Sequence, residues 1–220
     1  MKLIECVPNF SEGRRAGVVE KIVRSIGSVE EIKILDQSSD ASHNRSVVTF
    51  VGSPAAVKEA AFRAVKMAAE LIDMELQRGE HPRIGATDVI PLIPLSGVSM
   101  EDCVALAREL GEEIAAKLAI PIYLYEEAAS SAERKNLAAV RRGEYEGLKE
   151  AIRQPGRKPD FGPPRLHPTA GATAVGARPP LIAYNINLDS SDVKIARKIA
   201  RSIRGSGGGY PSIKALGVLI

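Results

Sequence analysis

The chain has 220 residues, 45% hydrophobic and 26% charged, with 30 Lys and Arg against 27 Asp and Glu for a net charge of +3. It is long enough for a sizeable core, its basic excess is too small for a general nucleic-acid footprint, and 4% aromatics without tryptophan disfavour a base-stacking surface. Cys6 and Cys103 make neither a disulfide framework nor a zinc motif, and no basic-then-apolar leader or ~20-residue apolar run is present. The expectation is a cytoplasmic protein whose partners include neither nucleic acid nor membrane.

Leu3 to Val7 reads as a strand, closed by the turn signal Pro8-Asn9. Val19, Ile22, Val23 and Ile26 repeat at helical spacing, and a strand follows over Ile32 to Leu35. After the polar stretch "DQSSDASHNR" comes the β-branched run "SVVTFVG". Ser53-Pro54 then supplies an N-cap and a first-turn proline for a helix carrying Val57, Ala61, Ala64, Val65, Ala68 and Ile72. The join "RGEHPRIGATD" leads into "VIPLIPL", where Pro91 and Pro94 predict an edge or bulged strand.

Strand, helix, strand, strand, helix, strand is the ferredoxin-like split βαβ order of an α+β fold. A helix-strand-helix extension is predicted next. "SMED" opens a capped helix with Val104, Ala107, Leu110, Ile114 and Leu118; "IPIYLYE" is a strand, and Glu133 to Ile152 a second helix. Residues 154–178 are dense in proline, glycine and threonine and read as one long irregular loop, of the kind that lines a cleft. "LIAYNINL" reads as a strand, Val193 to Ile203 as a helix and "IKALGVLI" as a strand. This order restarts the first half and stops midway, so the expectation is a subdomain over 1–178 followed by the start of a second, truncated ferredoxin-like subdomain over 179–220.

Of three histidines, His81 stands out, at an element boundary between Glu80 and Arg83. An imidazole can take a proton and return it near neutral pH, and its charged neighbours would shift it in opposite directions. The competing reading is a turn histidine that only satisfies backbone groups. Asp88, seven residues on, is a candidate to orient it. His43 and His167 add no metal-ligand spacing, so no metal site is expected. Asn44 and Arg45 read either as a polar turn or as a carboxylate-recognition pair. Asn9, Ser11 and Glu12, between a strand and a helix, read either as ligand contacts or as an N-cap supplied by Ser11. "GATAVGA" lacks the dinucleotide fingerprint, and "GSGGGYP" is a flexible linker rather than a phosphate loop.

Taken together, "ECVPNFSEG", "NRSVVTFVG", "RGEHPRIGATDVIPLIP", "PIYLYEEAA", "RRGEYEGL", "PDFGP" and "GARPPLIAYNINL" resemble glutamate formiminotransferase, the transferase part of formiminotransferase-cyclodeaminase. The blocks stand in family order over almost the whole chain. The resemblance implies two ferredoxin-like subdomains with folate held in the groove between them. It implies transfer of the formimino group from N-formimino-L-glutamate to N5 of tetrahydrofolate, the acceptor substrate, in histidine degradation. It implies a catalytic role for His81 and a folate-binding loop over Gly162, Pro163, Pro164, Arg165, Leu166, His167, Pro168, Thr169, Ala170 and Gly171. The substrate carboxylates then call for partners among Asn9, Asn44, Arg45, Arg83 and Arg178. The expected assembly is a homodimer or a pairing with a separate C-terminal subdomain. Alternatives are formyl transfer between 5-formyltetrahydrofolate and glutamate, or a non-catalytic folate-binding module. One departure concerns position 38, which is acidic in many family members and Ser38 here, moving any acidic support to Asp36 or Asp40.

Overall fold

The computed structural model describes residues 1–182 and 184–219, in two compact units, Met1–Pro180 and Leu181–Ile220. The first unit is built on a single mixed sheet. Its strands are β1 (Leu3–Cys6), β2 (Asn9–Phe10), β3 (Lys33–Asp40), β4 (Arg45–Gly52), β5 (Thr87–Ser96), β6 (Ile122–Glu126) and β7 (Thr173–Ala177). The spatial order is β3, β4, then β1 and β2 in succession, β5, β7, β6. The first five strands, with helices α1 (Ala16–Gly27) and α2 (Pro54–Leu71), make the ferredoxin-like motif. Pairing is antiparallel as far as β5, and β7 and β6 then add in parallel.

Helix boundaries follow the local chemistry. Pro54 opens α2 after Ser53, whose hydroxyl donates to Glu31 instead of capping. Helix α3 (Met100–Leu118) starts with the expected capping box: Ser99 accepts from the Asp102 N–H while Asp102 accepts from the Ser99 N–H. Apolar faces of α1, α2 and α3 cover one side of the sheet, with Phe10, Ile22, Ile26, Phe50, Ile90, Leu92 and Leu110 fully buried. Each such aliphatic or aromatic side chain contributes about 1.5–3 kcal/mol of burial.

Three expectations are corrected. For the strand carrying Pro91 and Pro94 the edge reading is corrected, since the strand is central, while the bulged reading is borne out by register shifts against β1 and β2. Its prolines fall where the ladder is already interrupted: the Pro91 carbonyl meets Val7 at the break between β1 and β2, and Pro94 lies at a register shift opposite Ile4, beyond the last β7 residue. The helix expected over Glu133 to Ile152 is broken into a 3-10 turn, α4 (Leu137–Val140) and α5 (Glu144–Ala151). Asn136 caps α4, and Gly143 at φ +83° turns the chain between the two. Residues 154–178 are not wholly irregular, because the small-residue run "TAVGA" is β7, buried along its whole length. With neither alternation nor bulky β-formers, that run lacked the usual strand signature.

Helices α4 and α5 cover the opposite side of β5, β7 and β6 through Val140, Leu148 and Ile152. Over β3 that side carries exposed residues instead. Register places Asn9 opposite Val47, Ser38 opposite Val47 and Asp40 opposite Arg45, so Asn9, Ser38, Asp40 and Arg45 share this face.

In the second unit, α6 (Val193–Ile203) forms as expected, capped by Asp192 accepting from the Lys194 N–H. Of the two stretches that read as strands, 181–188 and 213–220, Ala183 and Ile220 lie outside the described residues. The remaining residues adopt no regular structure; Ile182, Tyr184 and Leu216 are exposed, and no described strand ladders with them. A strand needs ladder partners for its backbone groups, whatever its side-chain pattern.

Candidate active site

The segment from Gln77 to Ala86 carries His81 and is tied down at both ends. At its start, Asn44 sits in the left-handed region at φ +48°, which asparagine tolerates. The Asn44 amide donates to the Arg78 carbonyl at 2.8 Å and accepts from the Gly13 N–H at 2.9 Å, while Gln77 donates to the Asn44 carbonyl at 3.1 Å. Gly79 is required by this approach: a Cβ there would lie 2.3 Å from the His43 carbonyl oxygen.

Further along, Arg83 is almost wholly buried. It donates to the Gln77 side chain at 2.9 Å, to Glu144 at 2.9 Å and to both oxygens of Glu146 at 2.7 and 3.0 Å. Burial alone would lower its pKa, but Glu146 and Glu144 outweigh that and raise it. The Ser11 hydroxyl donates to the Gly85 carbonyl at 2.7 Å, so this serine fastens the segment rather than capping α1. Glu12 takes the turn before α1 instead, accepting from the N–H groups of Arg14 and Arg15 at 2.9 Å each.

These anchors bring His81 to Arg45 and Asn9. Arg45 Nη1 stands 3.1 Å from His81 Nε2 and 3.2 Å from Asn9 Oδ1. The Asn9 amide is itself oriented by donating to the Val7 carbonyl at 3.0 Å. A guanidinium only donates, so Nε2 accepts and the neutral ring carries its proton on Nδ1. Burial, reinforced by the positive charges of Arg45 and Arg141, pushes the His81 pKa down from 6.5 to about 3. The imidazole is therefore a neutral base at physiological pH.

Asp88 does not contact His81 directly. Phe10 pairs with Thr87 and Asn9 with Val89, which leaves Asp88 as the extra residue of a bulge. From there its carboxylate accepts from the Ile84 N–H at 2.9 Å and forms a close ion pair with Arg141. Burial drives the Asp88 carboxyl upward, with the Arg141 charge pulling the other way. Arg141 Nε is buried without a hydrogen-bond partner. Asp40 accepts from the His43 N–H and ring, while Ser38 makes no such contact.

The loop over 162–171 folds against the same segment. His167 and Gly171 exchange backbone hydrogen bonds at 3.0 and 3.2 Å, and His167 Nδ1 accepts from the Ala170 N–H at 3.0 Å. Ala86 N–H donates to the Ala170 carbonyl and Ala172 N–H to the Ile84 carbonyl. Gly171, at φ +70°, passes so close to Ile84 that a Cβ would lie 2.4 Å from its carbonyl oxygen. Arg165, Leu166, His167 and Pro168 line a cleft of about 320 Å³ with Tyr145, Lys149 and Arg153. A wider groove of about 490 Å³ lies between α1 and α2, on the opposite side of the sheet.

The structure thus unites Asn9, Arg45 and His81. It commits Asn44 and Arg83 to holding the segment, and it places Arg178 elsewhere: its N–H bonds the Leu92 carbonyl, three residues along β5 from the partner of Asn9. Sequence reasoning passed over Arg141, Glu144 and Glu146, although all three lie in the block "RRGEYEGL". Among the described residues no group of His, Cys, Asp and Glu is arranged to hold a metal ion, and no helix is long and apolar enough to cross a membrane.

Residues 3–178 match the family model of the formiminotransferase domain, N-terminal subdomain. The chain is 51% identical over its full length to a glutamate formimidoyltransferase of Streptococcus pyogenes serotype M1, covering 73% of that protein. It is 52% identical to a glutamate formimidoyltransferase of Thermoplasma acidophilum, over 98% of this chain and 72% of the relative. Against the formimidoyltransferase-cyclodeaminase of Gallus gallus it is 50% identical over 94% of its length, covering 38% of that longer protein.

Proposed function

The chain belongs to the formiminotransferase family through its N-terminal subdomain, and from that premise we propose that it transfers the formimino group of N-formimino-L-glutamate to N5 of tetrahydrofolate. The observation that carries the reading is the pairing at 3.1 Å of a neutral imidazole with a half-buried guanidinium. Among the described residues that guanidinium contacts only neutral acceptors and has no carboxylate in ion-pair contact. A base thus stands beside an unsatisfied cation, as a reaction on a carboxylate-bearing substrate requires.

In this reading N5 attacks the formimino carbon, and His81 Nε2 takes the N5 proton as the new C–N bond forms. Collapse of the tetrahedral intermediate breaks the bond from that carbon to the glutamate nitrogen, which receives the proton from His81. One group serves as base and then acid, and the products are 5-formiminotetrahydrofolate and glutamate. Arg45, steadied by Asn9, receives a substrate carboxylate, and the loop over 162–171 receives the folate. Much of the rate gain comes from holding two substrates in register. The second unit would contribute the start of a C-terminal subdomain.

Incubating the protein with N-formimino-L-glutamate and tetrahydrofolate tests the reading. Formation of 5-formiminotetrahydrofolate, lost in His81→Ala with the fold intact, supports it. No turnover by a folded sample, or equal turnover by the variant, overturns it. Supplying 5-formyltetrahydrofolate and glutamate in a parallel reaction measures formyl transfer.

A further inference from the structure

We propose that Arg45 is a carboxylate-operated gate on His81: without substrate its guanidinium occupies the Nε2 lone pair, and a bound carboxylate draws it off and releases the base. The proposal rests on the functional reading above and adds a regulation of the same site.

Arg45 Nη1 stands at hydrogen-bond distance from both His81 Nε2 and Asn9 Oδ1, so the lone pair needed for proton transfer is already engaged. A neutral nitrogen is a weak partner for a guanidinium, and an incoming carboxylate is a stronger, charge-assisted one. The same event changes the base itself. Burial is the largest influence holding the His81 pKa down; the groups that act beside it are Arg45 from β4, Arg141 after α4, His43 from the turn between β3 and β4, and the Pro82 backbone of its own segment. The first three oppose an imidazolium, and Pro82 favours it. Arg141 is already engaged by the buried Asp88, and His43 by Asp40, whereas Arg45 has no such counter-charge in contact. Asp40 and Asp88 act on Arg45 only from beyond contact, so a substrate carboxylate on Arg45 adds the direct counter-charge it lacks and uncovers Nε2 together. His81 becomes a competent base only when the anionic substrate is present, which keeps the imidazole from protonating in an empty site.

Arg45 binds the carboxylate and, through its contact with Nε2, governs His81, so its test reads the imidazole directly. The protein is labelled with 13C-histidine, and the His81 signal is assigned by its loss in His81→Ala; only His43 and His167 remain. The His81 pKa is then measured by NMR titration in the free protein, with saturating L-glutamate, and in Arg45→Met and Arg45→Gln. Glutamate is expected to raise the pKa by at least one unit. Both variants are expected to raise it without ligand and to show no further rise with glutamate. A wild-type pKa that stays put when other signals report glutamate binding overturns the gate. So does an unchanged pKa in a folded Arg45 variant, which decides the matter even if glutamate binds weakly. Turnover of the wild type is measured on the same sample. Turnover with an unmoved pKa rejects the gate alone, and a glutamate-raised pKa without turnover rejects the transferase reading alone.

Discussion

Arg83 grips both carboxylate oxygens of Glu146, Nη2 to Oε1 at 2.7 Å and Nη1 to Oε2 at 3.0 Å, with only 6% of the arginine side chain exposed. This ion pair joins the His81 segment to α5, and Glu144 and Gln77 complete the clamp. Replacing Arg83 by methionine leaves the two glutamates half in water, where they cost little, but strands the Gln77 carbonyl oxygen. We expect a loss of about 2 kcal/mol in urea unfolding. A segment free to shift by an ångström also misplaces His81, the base of the proposed reaction, so kcat should fall about 100-fold while substrate KM changes little. Arg83→Lys restores the charge but not the fork and should recover only part of the loss. Wild-type kcat in Arg83→Met would show that the clamp does not position His81.

Gly79 offers a cleaner probe of the same positioning, because it carries no side chain to lose. An added methyl would sit 2.3 Å from the His43 carbonyl and 2.7 Å from the Asn44 Cβ. Since those atoms are backbone or held by hydrogen bonds, the segment must move. Gly79→Ala should destabilise by about 1–3 kcal/mol and cut kcat at least tenfold with His81 still present. Stability and kcat both within error of wild type would show that the approach is looser than it stands here.

The arrangement behind these effects was partly legible in the sequence. The ferredoxin-like order could be read because its helices and strands carry clear apolar periods, and the capping box at Ser99 announced α3. His81 was singled out from its crowded boundary and family block, and the structure places it beside Arg45. Its clamp was not, since Arg83 and Glu146 are 63 residues apart and nothing local marks the pair. The bulge that turns Asp88 toward Arg141 depends on register between β2 and β5, which composition does not encode. Likewise β7 is built from small residues whose strand state is fixed by its neighbours β5 and β6 rather than by propensity.

Glu12 should make a measurable contribution to acid stability. Burial acts to raise its pKa, but the N–H groups of Arg15 and Arg14, with the Arg15 side chain, outweigh it and hold the carboxyl below its ordinary 4.5. A carboxyl depressed in the folded state stabilises fully above the unfolded value and loses that effect as pH falls through the folded value. Glu12→Gln should therefore cost about 1.5–3 kcal/mol at neutral pH, the range for hydrogen bonds to a charged group. Below pH 4.5 the gap to wild type should close, as followed by urea unfolding over a pH series. A gap that stays constant down to pH 3 would assign the loss to packing instead of ionisation.

His81 acts in a higher pH window and with its own signature. The fold holds its pKa near 3, whereas the unfolded chain protonates at about 6.5. As pH falls below 6.5 the unfolded state binds the proton first, so stability is lost progressively toward pH 3. Allowing for the partial exposure of the ring, this group should cost on the order of 1 kcal/mol by pH 5, above the range in which Glu12 titrates. His81→Asn removes the linkage, so the variant should gain on wild type by that amount between pH 7.5 and pH 5. The same low pKa predicts that kcat/KM, which reports the free enzyme, has no His81 limb near 6.5. Parallel stability curves for the two proteins, together with a kcat/KM limb at 6.5, would show the imidazole to be an ordinary solvent-exposed histidine.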